Sequence, residues 1–150
     1  MSRVIPEPGD RFEALPRMMT RERMRWYCDA LETAADADGT FKIAEPTIHT
    51  DDEFARSQGL RGIIADGMIS TNWISSLLVR RFGMDYVSRG ELGARFIRPI
   101  YEDESIETCA EVTEVETVGE TVTITLDVWC ATSDGAKCTV GSAKILLANE

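Results

Sequence analysis

One segment near the middle of the chain, Met68 to Phe82, restricts the fold more than any other. Its apolar residues recur at intervals of three and four, the pattern of a helix with a buried face. These residues are Met68, Ile69, Trp73, Ile74, Leu77, Leu78 and Phe82. Arg80 and Arg81 suit the negative end of the helix dipole, and Gly83 is a typical stop. The helix is too apolar to have a face in water, so other elements are expected to enclose it.

After Gly83 the apolar pattern changes to a period of two, which indicates strands. Strands are predicted at 91–100, 105–117, 120–131 and 137–147, where β-branched residues are frequent. Short turns that contain glycine separate the last three of them. We therefore expect an antiparallel meander that follows the long helix.

The part of the chain before the long helix predicts one strand and two helices. A strand is expected at 11–15, among several prolines, and an amphipathic helix at 21–33. A short helix is expected at 51–58, because Thr50 and Glu53 have the spacing of a capping box.

The order of these elements predicts the fold class. Helices followed by strands are typical of an α+β protein, and a sheet around one buried helix is the hotdog arrangement. Residues 1–150 are long enough for a single domain with its own core, so one hotdog domain is expected. Such a domain leaves an open strand edge and an apolar seam, so we expect a homodimer.

Charge and composition exclude several classes of protein. The net charge of −10 argues against nucleic-acid binding, which requires a basic face. No run approaches the roughly 18 apolar residues of a membrane helix, and the N-terminal segment has no apolar core typical of a signal peptide. The cysteines show no metal-ligand spacing and are expected to be reduced in a cytoplasmic protein. They are Cys28, Cys109, Cys130 and Cys138.

The segment from Ile48 to Leu78 resembles the MaoC-like dehydratases, the hotdog family of (R)-specific enoyl-CoA hydratases. That family has a His-x-Asp run, then a short helix, then an Ala-His-Gly-Met turn that opens the buried helix. The matching residues are Ile48, His49, Asp51, Asp52, Glu53, Phe54, Ala55, Gly59, Ala65, Gly67 and Met68. The segment from Ala94 to Ile106 is similar to the family's Phe-x-x-Pro-Val strand and acidic turn. The resemblance extends over about residues 11 to 147.

The resemblance implies a mechanism and two principal residues. The carbonyl oxygen of a 2-enoyl thioester would accept a hydrogen bond from the Gly67 backbone N–H, at the positive end of the helix. His49 would act as the base that activates the water. Ala65, Met68 and Asn72 are expected beside the substrate, and Asn72 would place a hydrogen-bonding side chain near the carbonyl. The resemblance implies no separate cofactor, since CoA is part of the substrate.

One catalytic position departs from the family pattern. The family places an aspartate five residues before the histidine, where this chain has Ala44. Glu45 and Asp66 are the two candidate carboxylates that could replace it. Asp66 is also placed to stabilise the helix start without any chemistry.

Three functions remain open from the sequence. The first is a hydro-lyase acting on an enoyl-CoA. The second is a hotdog acyl-CoA thioesterase, in which Glu45 or Asp66 would activate water at the carbonyl. The third is a non-catalytic protomer that binds acyl-CoA or pairs with a second MaoC-like subunit, as the alanine at position 44 suggests.

Overall fold

The computed structural model describes residues 4–32 and 46–147. These residues form five strands and four helices; one strand comes first, the four helices follow, and the other four strands come last. The elements are β1 (Arg11–Met18), α1 (Arg21–Glu32), α2 (Asp52–Ser57), α3 (Gly67–Phe82), α4 (Met84–Arg89), β2 (Gly90–Phe96), β3 (Ser105–Val118), β4 (Thr121–Thr132) and β5 (Lys137–Leu147). The predicted strands and helices are confirmed, apart from the short helix α4, which follows Gly83 and was not predicted. The predicted helix at 21–33 ends at Glu32 within the described residues.

The five strands form one antiparallel sheet in the order β1-β3-β4-β5-β2. The meander of β3, β4 and β5 is confirmed. The prediction that β2 begins this meander is wrong, because β2 pairs with β5 at the far edge. It also ends at Phe96 instead of residue 100, since the N–H groups of Ile97 and Arg98 both bind the Cys138 carbonyl. The following segment then crosses to β3 on the other side of the sheet.

Helix α3 packs on one face of this sheet and supplies much of the core. Ile74 and Leu78 are fully buried, as are alternate residues of β4 such as Ile124 and Leu126. This arrangement of a long helix against a five-stranded antiparallel sheet confirms the α+β class and the hotdog fold.

The prediction that α3 has no face in water is wrong for the single chain. Asn72 and Val79 are exposed, because the sheet covers only one side of the helix. Trp73, expected at the centre of the buried stripe, is half-buried, and the Arg17 guanidinium lies 5.3 Å from its ring centroid. The centre of the buried stripe is formed instead by the aliphatic residues Ile74 and Leu78.

The start of α2 also differs from the prediction in one detail. The capping residue is Asp51, whose Oδ1 accepts a hydrogen bond of 2.7 Å from the Phe54 N–H. Thr50 instead accepts a hydrogen bond from the Thr47 N–H, so the expected capping box does not form. Gly59 closes this turn with a positive φ of 86°, which favours glycine.

All four cysteines are buried, and none of them is in a disulfide. Burial raises the pKa of the Cys130 thiol to about 11, so this thiol is protonated and unreactive near neutral pH. We expect titration of the unreduced, unfolded protein to find four thiols, whereas the folded protein should react slowly. Two thiols after unfolding would overturn the prediction of a reducing compartment. No helix in the described part of the chain has the length and apolarity to cross a membrane.

Candidate active site

His49 lies in the turn before α2, and its ring is held by the backbone. Nδ1 is 2.9 Å from the carbonyl oxygen of Ile64. Because a carbonyl only accepts hydrogen bonds, Nδ1 carries the proton and Nε2 is the acceptor. The Ile64 N–H in turn binds the Ile48 carbonyl at 3.0 Å, so the two segments are tied together. This arrangement leaves His49 Nε2 available to accept a proton.

Asp66 is the residue that caps α3. Its Oδ1 accepts a hydrogen bond of 2.8 Å from the Met68 N–H, and its Oδ2 lies 4.0 Å from His49 Nε2. The side chains of His49 and Asp66 are 26% and 24% exposed. The carboxylate is therefore close enough to stabilise a positive charge on the imidazole, while it also holds the first turn of the helix.

The Gly67 N–H is the first donor of α3, and it has no hydrogen-bond partner among the described residues. Such N–H groups at a helix start are free to bind a ligand. A Cβ on residue 67 would lie 2.6 Å from the Phe96 ring, so the space above this glycine is closed by an aromatic side chain. Gly67, which carries this backbone donor, therefore lies next to the Phe96 ring at the edge of a pocket.

This pocket has a volume of about 480 Å³ and contains both His49 and Gly67. Its walls are mostly apolar, with several polar side chains. The lining residues are His49, Ile64, Ala65, Asp66, Gly67, Ser70, Phe96, Ile97, Arg98, Pro99, Ile100 and Thr139. A concave, mainly apolar site with a few polar groups is typical of a small-molecule pocket.

Four of the residues expected at the site line this pocket: His49, Ala65, Asp66 and Gly67. Two others, Met68 and Asn72, are exposed on α3 and are not among the lining residues. The remaining candidate, Glu45, lies outside the described residues, as does Ala44.

Three polar residues of the pocket, Ser70, Arg98 and Thr139, were not among the predicted site residues. The Arg98 guanidinium donates to Thr132 Oγ1 at 3.1 Å and lies 3.4 Å from Glu104 Oε1. Arg98 therefore places a positive charge in the wall of the pocket. Its contact with Glu104 holds it against the loop that precedes β3.

A separate ion-pair cluster supports the turn that carries His49. Arg21 of α1 donates to both carboxylate oxygens of Glu102 and lies 2.9 Å from Asp52 Oδ2. Asp52 Oδ1 accepts from the Ile63 N–H at 3.0 Å, and these contacts lower the pKa of Asp52, with Arg21 the main cause. The cluster joins α1, α2 and the segment before α3.

Tyr27 of α1 also lies within electrostatic reach of the site. Burial raises the pKa of its phenol, and the negative charge of Asp66 adds to that effect. No group of His, Cys, Asp and Glu able to hold a metal ion occurs in 4–32 or 46–147.

Solved structures with the same fold include an (R)-hydratase from A. caviae involved in PHA biosynthesis. It is 19% identical, with a TM-score of 0.70, and the match covers 93% of this chain and 96% of the hydratase. The R-hydratase PhaJ1 from Pseudomonas aeruginosa is 19% identical, with a TM-score of 0.69 and coverage of 97% and 84%. The HadBC (3R-hydroxyacyl-ACP dehydratase) complex from Mycobacterium tuberculosis is 12% identical, with a TM-score of 0.68 and coverage of 93% and 96%.

No curated protein matches the chain. The MaoC like domain model matches residues 46–132, which is more than half of the chain and includes α2, α3, β2, β3 and β4. The matched region contains His49, Asp66 and Gly67, and it contains every lining residue of the pocket except Thr139. The chain therefore belongs to the family of proteins with a MaoC like domain, and its fold is that of the hydratases and dehydratases of this family.

Proposed function

We propose that this protein is a hydro-lyase that adds water to, or removes water from, the 2,3 double bond of an enoyl-CoA. The observation that carries this proposal is a pocket that brings together the Gly67 N–H and His49 Nε2, neither of which is hydrogen-bonded to another of the described residues. The donor suits a carbonyl oxygen that gains charge, and the histidine suits a water that loses a proton.

The reaction follows from these two positions. The thioester carbonyl oxygen accepts from the Gly67 N–H, and a water molecule donates to His49 Nε2. As the water oxygen bonds to C3, its proton moves to Nε2 and the electrons of the double bond move towards the carbonyl oxygen. The enolate then takes a proton at C2 from His49, which regenerates the neutral imidazole. The helix start stabilises the charge of the enolate oxygen throughout.

Asp66 is the first candidate for the role that an aspartate has in the family. Its Oδ2 lies 4.0 Å from His49 Nε2, close to the nitrogen that would receive the proton of the reacting water. Glu45 remains the second candidate carboxylate. The reaction needs no cofactor beyond the CoA that the substrate carries.

The test of this proposal follows the absorbance of crotonyl-CoA and the release of free thiol in the same samples. A hydro-lyase removes the enoyl absorbance without releasing thiol. Thiol release would replace the proposal with the thioesterase, for which the position of Asp66 in the pocket is the supporting observation. If neither signal changes while acyl-CoA raises the melting temperature, the protein is a binding protomer.

We further propose that the protein forms a homodimer in which the two sheets continue into one another. Strand β2 is an edge strand, and apolar side chains at its end, Phe96 and Ile97, are more than half exposed. An open edge beside apolar surface is typical of an interface. The HadBC relative is a complex, so pairing with a second MaoC-like subunit is the alternative.

Light scattering at micromolar concentration is expected to give twice the mass of the chain. Replacing Ile97 with Lys should favour the monomer, whereas the same change at Val118, exposed at the β3–β4 turn, should leave the mass unchanged. A monomeric parent protein would contradict the homodimer.

A further inference from the structure

Beneath the first turn of α3, a row of small polar residues interrupts the aliphatic core. Thr108 of β3, Cys130 of β4 and Thr139 of β5 are direct neighbours across the sheet. Ser70 of α3 lies over this row, and each of the four residues is at most 2% exposed. Buried polar groups are costly unless they are hydrogen-bonded, so the contacts of this row require an explanation.

The hydroxyls of Ser70 and Thr139 form a directed chain to the start of the helix. Ser70 Oγ is 2.8 Å from the carbonyl oxygen of Gly67 and 2.7 Å from Thr139 Oγ1. The carbonyl has no proton, so Ser70 donates its single proton to Gly67. Thr139 must then donate to Ser70. The order of donors is therefore Thr139, Ser70 and the Gly67 carbonyl.

The peptide groups on both sides of Gly67 are held by further contacts. The carbonyl of Asp66 accepts from the Ile69 N–H at 3.0 Å, and the Met68 N–H is bound by Asp66 Oδ1. From outside, the Phe96 ring closes the space next to the Gly67 Cα. The hydroxyl chain joins the Gly67 carbonyl to β5, while the Cys130 thiol of β4 donates to the Ser70 carbonyl at 3.7 Å. The Thr71 hydroxyl, on the helix itself, is a second donor to the Gly67 carbonyl at 3.3 Å.

We infer that Thr139 and Ser70 are positioning residues that fix the direction of the Gly67 N–H from the sheet. This inference rests on the proposed function of that N–H as the donor to the substrate carbonyl. Preorganised donors are effective because they need no rearrangement as charge develops, so a small displacement of the helix start should weaken catalysis.

The decisive variant is Thr139→Val, and its matched control is Thr108→Val. Both changes keep the side-chain shape at a buried position of the same sheet face, but only Thr139 contacts Ser70 Oγ. Thr108 contacts the Cys130 thiol at 3.5 Å and does not line the pocket. A purely structural role would therefore affect stability in both variants and turnover in neither.

With crotonyl-CoA, we expect Thr139→Val to lower kcat by about tenfold to a hundredfold. KM should change by less than about threefold, because the lost interaction acts mainly in the transition state. Thr139→Ser, which keeps the hydroxyl, should restore most of kcat. Thr108→Val should keep the kcat of the parent. Equal kcat values for the two valine variants would overturn the inference.

A second measurement does not depend on activity. The chain has 11 glycines, so the NMR spectrum of protein labelled with ¹⁵N-glycine contains few amide signals. The signal of the Gly67 amide is identified as the one that is missing from the spectrum of Gly67→Ala. Thr139→Val should shift or broaden the Gly67 amide signal, and Thr108→Val should not. An unmoved Gly67 signal in Thr139→Val overturns the inference even if crotonyl-CoA is hydrated. A moved signal in an inactive protein supports the inference and rejects the proposed function.

Discussion

Replacing His49 with alanine is expected to lower the hydration rate of crotonyl-CoA by at least about a hundredfold, the lower range of general acid–base catalysis. The reason is the fixed orientation of the ring. Nδ1 donates to the Ile64 carbonyl, so Nε2 is the only nitrogen that can take the proton of water. Some turnover should remain, because Gly67 and the pocket are intact. The rate is measured as the loss of enoyl absorbance.

Asp66→Asn tests the partner of this histidine without breaking the helix. Asparagine is as good a capping residue as aspartate, so the contact with the Met68 N–H is retained while the charge is lost. Turnover should fall, and the double variant with His49→Ala should cost less than the product of the two single losses. If His49→Ala leaves the hydration rate unchanged, the assignment of His49 as the base is wrong.

Glu45→Gln distinguishes the other candidate carboxylate. If Asp66 has taken the role of the missing aspartate, this variant keeps the rate of the parent. If Glu45 has taken that role, Glu45→Gln lowers the rate and Asp66→Asn does so less.

The largest loss of stability is expected for Leu78→Ala on α3. Leu78 is 1% exposed within the core between the helix and the sheet. Removing a buried leucine side chain leaves a cavity and costs about 2–5 kcal/mol of unfolding free energy. Denaturant unfolding followed by circular dichroism measures this difference.

The matched control for Leu78→Ala is Val79→Ala, the next residue of the same helix, which is 40% exposed. This change should alter the unfolding free energy by less than about 1 kcal/mol, since surface substitutions are usually small in effect. Equal losses for the two variants would contradict the burial of this helix against the sheet.

The long helix and the strands β3 to β5 were predictable because their apolar periods are regular and their turns contain glycine. The position of β2 was not predictable, because its alternating pattern does not identify a partner strand. Its pairing with β5 depends on the course of the 97–104 segment, which follows contacts with Cys138 and Glu104. Trp73 shows a second limit of prediction from the sequence. Helical spacing predicts which face of the helix carries a residue, but it does not predict whether that residue lies at the centre of the buried face.

Residues of the candidate site could be predicted from the sequence only where they belong to a recognisable motif. His49 and Gly67 followed from the family resemblance, and both line the pocket. Ser70 and Thr139 were missed because single serines and threonines are common and have no motif. The available signal was the position of Ser70 beside Ile69 and four residues before Ile74, on the buried face of the helix.

In the proposed reaction, one pocket binds the thioester carbonyl at Gly67 and the reacting water at His49. The most direct measurement is a crystal structure of the protein with a bound 3-hydroxyacyl-CoA, the product of hydration. We expect the thioester oxygen to lie within about 3.2 Å of the Gly67 nitrogen and the 3-hydroxyl to lie within about 3.2 Å of His49 Nε2. A product bound with its thioester oxygen away from Gly67, or with its hydroxyl away from His49, would contradict it.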